Sequence, residues 1–124
     1  MPITVERLAD ENVIVAIATS PLDPVADIRR SWQDTARLAQ DLEGHVFAIS
    51  DFSQVNLSQH ELEAGLDGLN GETLPPDNST MIFVSNNGLA DTLTQAYQDQ
   101  YTGRRPVLFE TIDDALAYIR WQKN

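Results

Sequence analysis

The chain has 124 residues, 42% of them hydrophobic and 22% charged, a length that makes one domain able to bury roughly two thirds of its unfolded surface. Nineteen acidic against eight basic side chains give a net charge of −11, which sets the surface against phosphate backbones and anionic bilayers, so neither nucleic acid nor a membrane is expected as a partner. There is no cysteine, so disulfides, thiolate catalysis and thiolate metal sites are excluded as well.

The opening residues, MPITVERLADENV, lack the apolar core of a signal peptide, and no stretch approaches the roughly 20 apolar residues of a membrane helix. A cytoplasmic protein is the expectation. Ile3-Thr4-Val5 begins a short edge strand, and Asp10-Glu11-Asn12 is a turn cluster of the kind that joins antiparallel strands. Val13–Ala18, VIVAIA, is an unbroken apolar run and reads as a central strand. Thr19-Ser20-Pro21 breaks it. Asp23 then caps a helix that has Pro24 in its first position, where the missing N–H costs nothing. Val25, Ile28, Trp32, Ala36, Ala39 and Leu42 form the apolar stripe of that helix; Arg29, Arg30, Gln33, Asp34, Arg37 and Gln40 face away, and Gly44 is placed to end it.

The rest of the chain is organised around the next stretch, His45–Glu61, HVFAISDFSQVNLSQHE. Val46-Phe47-Ala48-Ile49 is apolar without alternation, as in a strand covered on both faces, and it ends at Asp51. After a short connection Ser58 and Glu61 have the spacing of a capping box, each satisfying a backbone N–H that the new helix leaves open. Leu62, Leu66 and Leu69 are the buried line of that helix. The segment Asn70–Ser79, NGETLPPDNS, is a loop. Met81–Val84 is a further apolar strand, and Ser85-Asn86-Asn87-Gly88 leads into a third helix that carries Leu89, Leu93, Ala96 and Tyr97 and closes at Gly103. Past Arg104-Arg105-Pro106 comes a brief strand, Val107-Leu108-Phe109. Thr111 and Asp114 cap a last helix with Ile112, Ala115, Leu116 and Ile119 as its core stripe. The order is ββαβαβαβα, a single α/β domain with a mixed, mainly parallel sheet covered by about four helices and joined by right-handed crossovers.

The VERLADENVIVAIA hairpin, the FAISDFSQVNLSQHEL strand, loop and helix, the MIFVSNNGLADTL unit and the closing PVLFETIDDALAYIR together resemble a STAS-type domain, the fold of anti-sigma-factor antagonists and SpoIIAA-like proteins. The resemblance spans nearly the whole chain and is one of element order more than of motif. It implies a cytoplasmic regulatory module that binds another protein and has no chemistry of its own. In the antagonist branch a serine within an Asp-Ser-Ser-Gly-like segment, at the start of the helix after the third strand, is phosphorylated by a partner kinase. Here that segment is Asn56-Leu57-Ser58-Gln59-His60-Glu61. Ser58 stands near the corresponding place without the preceding Asp or the following Gly, a departure that bears on the phosphoswitch and not on the fold.

Each residue with chemical interest also has a plain structural reading. Asp51 and Ser85, at the ends of successive strands, resemble the phosphoacceptor and hydroxyl of receiver domains, but the acidic pair after the first strand and the lysine after the last are both missing. An Asp in that place commonly bonds nearby backbone N–H groups. Ser58 and Thr111 are explained as N-caps worth about 1 kcal/mol each, and a phosphate on Ser58 would be compatible with that role. His45 and His60 sit at opposite ends of one strand-loop unit and should not meet, so a histidine metal pair is not expected. Trp32 belongs to the core. Tyr97, Tyr101, Tyr118 and Trp121 offer an aromatic surface to a partner or a second copy, and packing between helices accounts for them equally well.

The expectation is a non-enzymatic STAS-like module without cofactor or metal, binding a protein through Ser53–Leu62, with a homodimer as a further form. Asp51, Ser53, Ser58 and Ser85 are its partner-binding or phospho-regulatory residues. The alternative is a small apolar-ligand carrier with its pocket between the carboxyl edge of the sheet and the Asn70–Ser79 loop. No nucleophile and base can be paired from the residues present, which leaves an enzyme behind both readings.

Overall fold

A computed structural model describes residues 3–8, 11–19, 21–55, 58–67, 79–86, 88–89, 91–92, 94–95, 98 and 106–123. Five strands form one sheet in chain order: β1 (Ile3–Arg7), β2 (Val13–Thr19), β3 (Val46–Gln54), β4 (Ser79–Val84) and β5 (Val107–Phe109). β1 runs antiparallel to β2, with Thr4 opposite Ile17, and every later neighbour is parallel. The described helices are α1 (Pro24–Gln40), α2 (Gln59–Asp67) and α3 (Ile112–Lys123). None of them is long and apolar enough to cross a membrane.

The apolar runs lack polar alternation because both faces of the sheet are covered. In β2, Ala16 and Ala18 pack with Ile28 and Trp32 of α1 and Leu62 of α2. Val13 and Val15 point the other way, to Ala115 and Ile119 of α3. β3 divides likewise, with Ala48 and Phe52 on the α1 side and Phe47 and Ile49 on the α3 side. Each Val, Leu, Ile or Phe among them contributes about 1.5–3 kcal/mol when fully buried.

The caps are as the sequence predicts. Asp23 accepts the N–H groups of Val25 and Ala26, both at 3.1 Å, and its own N–H donates to Asp27 Oδ2 at 2.7 Å. The Thr111 hydroxyl accepts the Asp114 N–H at 3.1 Å.

Four details differ from the sequence reading. Three helices have described bounds where four are predicted. Asp91, Thr92, Thr94, Gln95 and Gln98 have helical backbone, while Leu93, Ala96, Tyr97 and Gly103 lie outside the described residues. Gly44 does not end α1, whose C-cap is Asp41. It lies further along the loop with φ +82°, beside Asn12, whose side-chain amide donates to the carbonyls of Glu43 and His45. Val25, assigned to the core stripe, is exposed, and buried Ser31 takes a place on that face, its hydroxyl donating to the Ile28 carbonyl at 2.8 Å. Arg30 does not simply face solvent. Its guanidinium reaches the Ile3 carbonyl at 3.4 Å and so ties α1 to the edge strand.

Candidate functional site

The carboxyl ends of the parallel strands gather the residues singled out from sequence. β3 continues past Asp51 to Gln54, because its pairing with β2 slips there: Ile17 is opposite Asp51 but Thr19 is opposite Gln54, leaving one extra residue in β3. An extra residue of this kind unpairs backbone groups locally and bends the strand. Asp51 closes the irregularity. Its Oδ1 accepts the Ser53 N–H at 2.8 Å and the Ser53 hydroxyl at 2.6 Å, and the Val55 N–H turns back to the Phe52 carbonyl at 3.4 Å. Asp51 is buried, and these bonds supply what a carboxylate needs away from water. Asp51 and Ser53 therefore form one unit, with the serine hydroxyl donating to the carboxylate.

Beyond this unit α2 begins at Ser58. The Ser58 N–H donates to Glu61 Oε1 and the Glu61 N–H to Ser58 Oγ, both at 3.1 Å, a reciprocal capping box. Ser58, Gln59, His60, Glu61, Glu63, Ala64 and Asp67 are all exposed. Leu62 and Gly65 are buried on the inner side of the helix. Sequence reasoning missed Gly65. A Cβ there would come within 2.7 Å of both Ile28 Cδ1 and the Pro24 carbonyl oxygen, so α2 rests on the first turn of α1 at a distance only glycine permits. A glycine inside a helical pattern is the available signal, since it costs about 1 kcal/mol relative to alanine unless close packing requires it. Leu69 lies outside the described residues, as do Asn56 and Leu57 of the loop.

Ser85 is buried at the end of β4, and its N–H extends the ladder to the Phe109 carbonyl at 3.0 Å. The β3–β4 register sets Asp51 opposite Val84, so strand alternation sends Ser85 to the opposite face from Asp51. The four predicted residues thus share one edge of the sheet without forming one constellation: Asp51 and Ser53 are joined, Ser58 is exposed on α2, and Ser85 is held separately.

The histidines do not meet. His45 Nε2 is 2.6 Å from Thr80 Oγ1 with its ring edge-on to Phe47 at the amino edge, and His60 is exposed on α2. Among the described residues no group of three or more His, Cys, Asp or Glu is arranged to hold a metal ion. Trp32 is buried as predicted, and Tyr118 is half-buried with its ring 5.3 Å from Phe109. Trp121 is 76% exposed. Tyr97, Tyr101 and residues 70–78, where the carrier reading places one wall of its pocket, lie outside the described residues. No family model matches the chain, and no curated protein or solved structure is significantly similar to it.

Proposed function

We propose that this chain is a STAS-like protein-interaction module without catalytic chemistry, which recognises its partner through the β3–α2 connection and the outer side of α2. The observation that carries the reading is the division of labour along Asp51–Asp67. The buried polar groups bond to one another to shape the chain, Asp51 with Ser53, while the side chains of α2 from Gln59 to Glu61, with Glu63, Ala64 and Asp67, are left to solvent on a helix anchored by Leu62 and Gly65. A helix anchored in this way offers its polar side to a partner as a preformed surface. A catalytic site would instead need a nucleophile and base within reach of each other.

The antiparallel β1–β2 hairpin followed by parallel strands in chain order supports the family part of the proposal. Ser58 keeps its place as the regulatory residue. A phosphate on its exposed hydroxyl would meet the N-terminal N–H groups of α2 and change the charge of the recognition surface directly.

The test is site-specific photo-crosslinking in the native cell. A photoreactive residue replaces His60 or Glu63 on α2 and, as control, Glu6 on β1. One discrete protein adduct from the α2 positions and none from Glu6 is the expected result. Absence of any adduct from α2, or the same adduct from all three positions, contradicts the proposal.

A further inference from the structure

We draw no further inference here: the strongest candidate, the surface patch around the exposed Trp121 at the end of α3, carries none because nothing in the structure shows what covers it.

Discussion

Asp51 shows how a residue that looks chemical in the sequence becomes structural in the fold. A lone aspartate at the end of an apolar strand is the mark of many active sites. Here its Oδ1 is taken up by the backbone and hydroxyl of Ser53 across an irregularity in β3. Gly65 makes the opposite passage, from a residue without side-chain chemistry to a constraint on how the whole of α2 sits against α1. Two effects compete at Gly65→Ala. Alanine gains about 1 kcal/mol of helix propensity. Its methyl group, however, lands 2.7 Å from the Pro24 carbonyl oxygen, which is backbone and has no rotamer to change. Overpacking of this kind costs about 1–3 kcal/mol, so the substitution should lower stability despite the better propensity. Urea denaturation measures this, and a Gly65→Ala variant more stable than the wild type would mean that α2 does not sit this close to α1.

At the scale of elements, legibility follows how local the cause is. The caps at Asp23, Ser58 and Thr111 are written in a few adjacent residues, and all three are found as read. So is the strand Val107–Phe109, and the strand read over Val13–Ala18 is found with one further residue, Thr19, because an apolar run between turn residues identifies itself. What was not legible depends on partners distant in sequence. The extension of β3 to Gln54 is fixed by its pairing with Thr19, and the left-handed Gly44 belongs to a loop held by Asn12. Nothing in the apolar stripes says that α1 and α2 share one face while α3 takes the other. The docking of α3 lets magnitudes separate two kinds of contact. Ile119 is fully buried, and Ile119→Ala should cost about 2–5 kcal/mol. Arg120 pairs with Glu11 at 3.3 Å, but both side chains reach solvent, so Arg120→Ala should cost less than about 1 kcal/mol. Thermal unfolding of the two variants in dilute solution distinguishes them; equal losses would mean that the ion pair, not the apolar stripe, holds the helix.

Across the whole molecule the charge is unevenly spread. Asp23, Asp27, Glu61, Glu110, Asp113 and Asp114 are set around the carboxyl edge of the sheet, whereas towards the amino edge Arg7, Arg37 and Arg120 are interspersed with Glu11, Asp34, Asp41 and Glu43. The proposed recognition surface therefore has a negative surround, and a partner that approaches it is steered by that field. Both this geometry and the family reading depend on one topological statement: an antiparallel hairpin opens the sheet and every later strand adds parallel to it, in chain order. The cysteine-free chain permits a direct test by paired cysteines. Thr4 and Ile17 are register partners, whereas Ala16 belongs to the α1 side of β2 and is partner to Val5. Facing pairs lie within disulfide reach, and residues on opposite faces do not. Under mild oxidation Thr4→Cys/Ile17→Cys should cross-link within the folded monomer while Thr4→Cys/Ala16→Cys stays reduced. Cross-linking of the second pair, or of neither, would contradict the hairpin and with it the family reading and the proposed recognition edge.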